Sequence, residues 1–184
     1  MGSPDMTKTP DWPQRYEEKV RTPEEAVGAV QSGDHIFIGS GAAEPQRLVE
    51  ALVKRANAVF GTEIVHIMTL GIAPYAEPKW GDNFRHNALF IGPNVRDAVA
   101  QGRADYTPIF LGEVARLFET GRVPIDVALI QVSPPDRHGY CSYGVSVDVV
   151  KSGTDAADVV LAEVNPRMPR TLGDSFIHVN DIDA

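Results

Sequence analysis

The apolar run 127–132 and its abrupt end at residues 133–135, Ser-Pro-Pro, constrain the fold more than any other stretch of the sequence. The run has six residues and no charge, which is typical of a strand buried on both faces of a sheet. The prolines end the strand, because proline has no backbone N–H for a neighbouring strand. The following loop, 136–144, contains glycines, hydroxyls and aromatic residues. Parallel α/β sheets place functional sites in strand-end loops, so this loop is the first candidate for a site.

Strand-like and helix-like stretches alternate along most of the chain. The periodicity predicts strands at 35–38, 63–68, 88–91, 106–110, 126–132 and 159–164. It predicts helices at 22–31, 48–56, 111–120 and 147–158. A capping box at 22–25 starts the first helix, and Asn94 is expected to cap a further one. This alternation predicts an α/β fold with a largely parallel sheet and helices on both faces.

We expect one folded domain at 12–164. Residues 1–11 are polar and contain prolines, and they begin with Met-Gly-Ser, so we predict a disordered or tag-derived segment. Residues 165–184 contain several residues that break regular structure and end without a closing element. We interpret this stretch as a linker toward a C-terminal domain.

Composition and charge disfavour several classes of function. The 184-residue chain has a net charge of −8, and its longest basic cluster is Lys54-Arg55, which disfavours nucleic acid as a partner. No run approaches the roughly 18 apolar residues of a membrane span, and no signal peptide is recognisable. A single cysteine excludes an intrachain disulfide and a multi-cysteine zinc site. We therefore expect a cytoplasmic protein whose partners are small molecules.

Residues 39–41, Gly-Ser-Gly, lie between a predicted strand and a predicted helix. Their backbone amides are placed to line a site for an anion or a carbonyl group at the helix N-terminus. Glycines needed only for a tight turn explain the motif equally well. The motif also lacks the third glycine of a dinucleotide-binding fingerprint. Thr69 is a second strand-end candidate, for which a simple loop hydroxyl is the alternative.

Asp136, His138 and Cys141 suggest nucleophilic catalysis by a thiolate with a base and an orienting carboxylate. Residues within six positions of one loop rarely reach that geometry. We interpret Cys141 as a small buried apolar residue, and we expect Ser133 and Asp136 to hydrogen-bond the local backbone. The five histidines lack metal-ligand spacing, which predicts no metal site.

Three segments, taken in order, resemble a known family. They are 38–41 (Ile-Gly-Ser-Gly) with Pro45, 132–144 (Val-Ser-Pro-Pro-Asp-Arg-His-Gly-Tyr-Cys-Ser-Tyr-Gly) and 162–171 (Ala-Glu-Val-Asn-Pro-Arg-Met-Pro-Arg-Thr). Together they resemble the acetyl-CoA hydrolase/transferase family, whose members include 4-hydroxybutyrate and acetate or butyrate CoA-transferases. The resemblance runs from about Trp12 to the C-terminus and covers only the N-terminal half of such proteins.

The resemblance implies a CoA-transferase-like fold and an enzyme of two similar α/β domains. Such an enzyme moves CoA between a short-chain acyl-CoA and a carboxylate through a glutamyl-CoA thioester. The glutamate lies in the C-terminal domain, and no residue of this sequence matches its motif, so the resemblance implies that this chain alone is inactive. Acyl-CoA is then a substrate rather than a permanently bound cofactor, and most of the nucleotide is expected on the other domain. A homo-oligomer is also expected.

By the same resemblance, this chain forms one wall of the acyl pocket. The implied substrate-binding residues are Gly39, Ser40, Gly41, Thr69, Asn165 and Arg170. Ser40 and Gly41 would face the acyl or carboxylate group, with Thr69 close by. Asn165 and Arg170 would contact substrate or hold the interdomain loop, because a guanidinium can donate two parallel hydrogen bonds to a carboxylate.

Two other functions are compatible with the sequence. An acyl-CoA hydrolase differs only in letting water accept the acyl group. A stand-alone ligand-binding or subunit-interaction module would never carry the glutamate. An assay of carboxylate-dependent CoA exchange against thioester hydrolysis separates the two enzymes, and the absence of both activities favours the module.

Overall fold

The computed structural model describes residues 12–184, so the segment 1–11, predicted to be disordered or tag-derived, lies outside the described residues. The strands are β1 (His35–Ile38), β2 (Thr62–His66), β3 (Phe84–Ala88), β4 (Ala104–Tyr106), β5 (Val127–Val132), β6 (Tyr140–Ser142), β7 (Val159–Val164) and β8 (Phe176–His178). The α-helices are α1 (Trp12–Lys19), α2 (Pro23–Ala26), α3 (Gln46–Lys54), α4 (Arg96–Ala100), α5 (Val114–Glu119) and α6 (Val150–Ala156). None of the helices between residues 12 and 184 is long and apolar enough to cross a membrane.

The main sheet has six parallel strands in the order β4-β3-β2-β1-β5-β7. Strands β6 and β8 form a separate antiparallel pair. The predicted α/β fold with a largely parallel sheet is therefore confirmed. The strand order reverses at β1, which has β2 on one side and β5 on the other. The carboxyl ends of β1 and β5 thus flank the crevice in which open α/β sheets bind ligands.

Helices cover both faces of the sheet, as predicted. Successive side chains of a strand point to opposite faces, so Ile36 and Ile38 of β1 pack on the side of α2 and α3. Phe37 packs on the other side, in the same apolar cluster as residues of α5 and α6. Its ring meets Phe118 of α5 edge to face at a centroid distance of 5.4 Å. The sheet is therefore the middle layer of the domain.

Two strands lie earlier in the chain than predicted. β3 occupies Phe84–Ala88 rather than 88–91, and β4 occupies Ala104–Tyr106 rather than 106–110. Only alternate residues of β3 are fully buried, so the strand has no continuous apolar run to reveal it. Pro108, just beyond β4, lacks the amide that a longer strand would need.

The helices follow the predicted positions but differ in extent. The capping box at Thr22 is present: the Thr22 hydroxyl accepts from the Glu25 backbone amide, and the Glu25 carboxylate accepts from the Thr22 backbone amide. The helix it starts is short, because α2 passes into a 3-10 turn at Val27–Ala29. Helix α1 was not predicted, because only its Trp12 and Tyr16 pack against the core and both stay partly exposed, which is too short an apolar stripe to indicate a helix.

Asn94 does not cap a helix, so that prediction was wrong. Helix α4 begins after Val95, which makes no side-chain cap. The Asn94 amide instead donates to the Thr69 hydroxyl at 2.8 Å. A polar link therefore joins the loops that follow β2 and β3.

The segment 165–184 packs against the domain. Strand β8 pairs with β6, and Ile177, Val179 and Ile182 are buried in the same apolar cluster as Phe37. The carbonyl of Ala184 accepts a hydrogen bond of 2.8 Å from Ala162 of β7. That this segment leads on to a C-terminal domain stays a prediction.

Candidate functional site

The loops after β1 and β2 are joined where they leave the sheet. Gly41 forms an isolated parallel bridge with Thr69. The Gly41 amide donates to the Met68 carbonyl at 2.8 Å, and the Gly41 carbonyl accepts from the Leu70 amide at 3.2 Å. The structure therefore brings Ser40, Gly41 and Thr69 together at the carboxyl end of the sheet.

The glycines of this loop have a structural role. Gly41 has a φ of +60°, and a Cβ added there would lie 2.9 Å from Ser146 Oγ, so glycine is the residue that fits. The Gly39 amide donates to the Leu129 carbonyl of β5 at 2.9 Å. The amides of Gly39 and Gly41 both donate to backbone carbonyls, so here they stabilise the loop rather than line an open anion site.

The two candidate hydroxyl groups are buried and have partners. Ser40 is 5% exposed, and its hydroxyl donates to the Asp148 carboxylate at 3.0 Å. Thr69 is 2% exposed and accepts the hydrogen bond from Asn94. These partners hold both hydroxyls in defined positions.

Glu44 is a buried carboxylate that the sequence analysis did not select. It is 2% exposed, and its Oε2 accepts a hydrogen bond of 2.8 Å from the Gly71 amide. Burial raises the pKa of Glu44 to about 7, against the lowering effect of the hydrogen bond from the Gly71 amide. Glu44 therefore ties the loop after β1 to the loop after β2.

Tyr75, His66 and His86 form a buried cluster beside Glu44. The Tyr75 hydroxyl lies 2.7 Å from His66 Nε2, and the two imidazole rings stack at a centroid distance of 4.2 Å. Burial lowers the pKa of His66, and the neighbouring His86 adds to this effect. Burial lowers the pKa of His86 to about 4 and raises that of Tyr75. All three side chains are therefore neutral near pH 7.

Asn165 is linked to the same region through Gln131. The Asn165 amide donates to Gln131 Oε1 at 2.9 Å, and the Gln131 amide donates to the Glu44 carbonyl at 3.1 Å. These bonds connect the ends of β7 and β5 to the loop after β1. Asn165 therefore belongs to the polar surroundings of the site.

Arg170 holds the loop 133–144. Its guanidinium donates to the Asp136 carboxylate at 3.0 Å, to the Tyr140 carbonyl at 3.0 Å and to Ser133 Oγ at 3.2 Å. It also lies 5.2 Å from the centroid of the Phe176 ring. Direct contact between Arg170 and substrate stays a prediction.

The loop 133–144 has the scaffold geometry expected from the sequence. Asp136 accepts hydrogen bonds from the amides of His138 and Tyr140, and Ser133 Oγ accepts from the Ser142 amide. Cys141 is fully buried, and burial raises the pKa of its thiol to about 11. A thiol in this state is a poor nucleophile, so the prediction of a small buried residue is confirmed.

Comparison with known proteins identifies the family. The sequence profile of the acetyl-CoA hydrolase/transferase N-terminal domain matches residues 5–184. The chain belongs to this family. The 4-hydroxybutyrate coenzyme A transferase of Clostridium kluyveri is 51% identical over 173 residues, which cover 94% of this chain and 40% of that relative. This acetyl-CoA hydrolase/transferase domain spans 36% to 40% of the length of the curated relatives it matches.

Solved structures match the fold of the domain over nearly its full length. RipA from Yersinia pestis has a TM-score of 0.87 at 30% identity, covering 95% of this chain and 43% of the RipA chain. The 4-hydroxybutyrate CoA-transferase of Porphyromonas gingivalis has a TM-score of 0.79 at 31% identity, covering 94% and 40%. The predicted CoA-transferase-like fold is therefore confirmed.

The sequence analysis missed Glu44, Asn94 and Gln131 as parts of the site. Glu44 could have been selected from the sequence, since it is the one charged residue in the loop 39–45. No sequence pattern points to Asn94 or Gln131, because their hydrogen-bond partners come from distant parts of the chain. Such residues reach the site only because the order of strands in the sheet brings their loops together.

Proposed function

We propose that this acetyl-CoA hydrolase/transferase domain is the N-terminal part of a CoA-transferase, which moves CoA between a short-chain acyl-CoA and a carboxylate. One observation carries the proposal: Gly41 and Thr69 are paired at the switch point of the sheet in a chain 51% identical to a 4-hydroxybutyrate coenzyme A transferase. Crevices at this position bind ligands in open α/β sheets. Acyl-CoA is then a substrate and not a resident cofactor.

We place the catalytic glutamate on a C-terminal domain. Its carboxylate attacks the thioester carbonyl and expels the CoA thiolate, which leaves an acyl-glutamyl anhydride. The thiolate then attacks the glutamyl carbonyl, which releases the first carboxylate and leaves a glutamyl-CoA thioester. The acceptor carboxylate reverses these two steps and departs as the new acyl-CoA. Each addition places negative charge on an oxygen, which nearby hydrogen-bond donors stabilise.

The role proposed for this chain is to hold the acyl or carboxylate group. Ser40, Gly41 and Thr69 lie together at the crevice, and the Thr69 hydroxyl is the donor we assign to the substrate oxygen. Asn165 supports this wall through its hydrogen bond to Gln131. Arg170 keeps the loop 133–144 in place.

Exposed apolar side chains in the segments that follow the strands support docking of a second domain. They follow the carboxyl ends of β2, β3, β4 and β7 in the chain: Leu70, Ile72, Phe90, Phe110, Leu111 and Leu172. Phe110 is 81% exposed and Leu172 is 91% exposed. Large exposed apolar patches mark interaction surfaces. The C-terminal domain would cover these side chains and close the acyl pocket.

The test is an assay of the complete protein with a short-chain acyl-CoA and a free carboxylate. We expect CoA exchange that depends on the carboxylate, and Thr69→Val should lower kcat/KM by about tenfold or more, since it removes one charge-stabilising donor. Thr107→Val is the matched control, because Thr107 bonds Asn87 on β3 instead. Thioester hydrolysis that needs no carboxylate would instead indicate a hydrolase. If neither activity occurs, the domain is a binding module and the proposal is wrong.

A further inference from the structure

Asp148 is a charged residue next to the crevice that the proposed function does not use. It belongs to the loop 145–149, which lies between β6 and α6. This loop packs against the loop after β1, since a Cβ added to Gly41 would come within 2.9 Å of Ser146 Oγ. The Ser40 hydroxyl donates to Asp148 Oδ1 at 3.0 Å. Asp148 is therefore held beside the carboxyl end of β1, where the strand order reverses.

One carboxylate oxygen of Asp148 is fixed and the other is free. Oδ1 accepts hydrogen bonds from the Ser40 hydroxyl and from the Val149 amide, the latter at 2.6 Å. Among residues 12–184, Oδ2 has no hydrogen-bond partner and Asp148 forms no ion pair. The residue is exposed. Since a carboxylate can only accept hydrogen bonds, Asp148 presents one positioned acceptor and an unpaired negative charge.

We propose that Asp148 determines which acyl groups the crevice accepts, and that it favours those with a hydroxyl group. The hydroxyl at the far end of the acyl chain donates to Asp148 Oδ2, while the reacting oxygen faces Thr69. An acyl group that ends in a second carboxylate is disfavoured, because it brings a like charge against Asp148. Ser40 is the positioning residue, since its hydrogen bond fixes the carboxylate. The inference rests on the proposed function in one respect, namely that the loops after β1 and β2 face the substrate.

The first test follows the isolated chain by NMR and requires no substrate. In an acid titration, the Ser40 Cβ should shift with the same midpoint as the side-chain carboxyl carbon of Asp148. Asp148→Asn should remove this inflection. Asp155→Asn is the matched control, because the Asp155 carboxylate accepts from Lys151 within α6 instead. A Ser40 signal that does not follow Asp148 overturns the proposal, and the wild-type titration needs no variant to fold.

The second test measures kcat/KM of the complete protein with acetyl-CoA and three acceptors of equal chain length. Butyrate, 4-hydroxybutyrate and succinate end in a methyl, a hydroxyl and a carboxylate group. The hydroxyl acceptor should exceed butyrate by about tenfold, which one added hydrogen bond can supply, and succinate should be the poorest of the three. Asp148→Asn keeps an oxygen for Ser40 and turns the free acceptor into a donor. The ratio of succinate to 4-hydroxybutyrate should then rise by about tenfold or more, whereas Asp155→Asn should leave it unchanged.

The outcomes separate this inference from the proposed function. CoA exchange without a preference for the hydroxyl acceptor, or an Asp148→Asn variant that keeps the wild-type ratio, overturns the specificity role and leaves the proposed function standing. If no acceptor supports CoA exchange, the proposed function is wrong, and the specificity role that rests on it is wrong as well.

Discussion

Gly71 shows how a single residue limits the geometry of the site. Its φ is not positive, so backbone strain does not require glycine here. A Cβ at this position would overlap the side-chain oxygen Oε2 of Glu44 and lie 2.7 Å from the side-chain nitrogen Nε2 of Gln46. Close packing of the Glu44 and Gln46 side chains against Gly71 is therefore the reason for glycine.

Substitution of Gly71 tests this contact. We expect Gly71→Ala to destabilise the domain by about 1–3 kcal/mol, because the added methyl group overfills a packed contact. Gly28→Ala is the control, since a Cβ there meets no atom within 4 Å. Urea unfolding followed by circular dichroism measures both. Equal stability of the two variants would show that the loops separate without cost.

The raised pKa of Glu44 predicts a pH dependence of stability. Its value of about 7 in the folded state exceeds the ordinary 4.5, so the native state favours the protonated form. The stabilisation is fully present below pH 4.5 and is lost as pH rises through 7, by a total on the order of 3 kcal/mol. Glu44→Gln should remove this loss. The measurement is the free energy of unfolding of the wild type and of Glu44→Gln at pH 5 and pH 8. A wild type that loses no more stability than the variant between these pH values would contradict the prediction.

Glu25 supplies a comparison of opposite sign. Hydrogen bonds from the amide and hydroxyl of Thr22 lower the pKa of Glu25. Its stabilisation is therefore present above its ordinary pKa and lost as pH falls through the lowered value. Glu25→Gln should matter at pH 8 and have less effect at low pH. If Glu44→Gln showed this same pattern, the assignment of a buried neutral acid would be wrong.

At the scale of elements, burial rather than propensity decides where helices and strands begin and end. β5 and β7 were predicted to within one residue, because each begins with four consecutive apolar residues. β3 was displaced, since its buried residues alternate with polar ones. Helix α6 contains Gly153, which propensity alone disfavours. Packing explains this glycine, because α6 crosses close to Phe37 of β1.

Gly153→Ala sets helix propensity against packing. Alanine in a helix gains roughly 0.5–1 kcal/mol over glycine. A Cβ on Gly153 would lie 2.8 Å from Phe37 Cδ1, and overfilling a core costs about 1–3 kcal/mol. We therefore expect a net loss of stability in urea unfolding. Gly112→Ala, where a Cβ meets no atom within 4 Å, should show no such loss, and a stabilised Gly153→Ala would mean that α6 can move away from the sheet.

At the scale of the whole molecule, the exposed apolar side chains after β2, β3, β4 and β7, such as Phe110 and Leu172, are apolar surface that no other described residue covers. We expect the isolated chain to self-associate through these side chains, and Phe110→Asp with Leu172→Asp to reduce that association. Phe60→Asp is the matched control, because Phe60 is 57% exposed at the opposite, amino end of β2. Sedimentation velocity measures the outcome. A wild-type chain that remains monomeric at high concentration would contradict the prediction.

The sequence by itself determined the fold class, the family and the scaffold role of the loop 133–144. These depend on local patterns: apolar runs, turn residues and motifs that stay contiguous in the chain. Ser40, Gly41 and Thr69 are neighbours because they follow adjacent strands of a parallel sheet. The bridge between Gly41 and Thr69 is the direct result of that order.

Only the tertiary structure revealed Glu44, Asn94 and Gln131 and assigned Arg170 to the loop. Their hydrogen bonds join residues 25 to 87 positions apart, so no periodicity or local motif in the sequence predicts these contacts. The state of Glu44 depends on burial among Tyr75 and two neutral histidines, which is a property of packing. Local chemistry therefore determined the framework, whereas the polar contacts of the site were decided by which strand ends the sheet brings side by side.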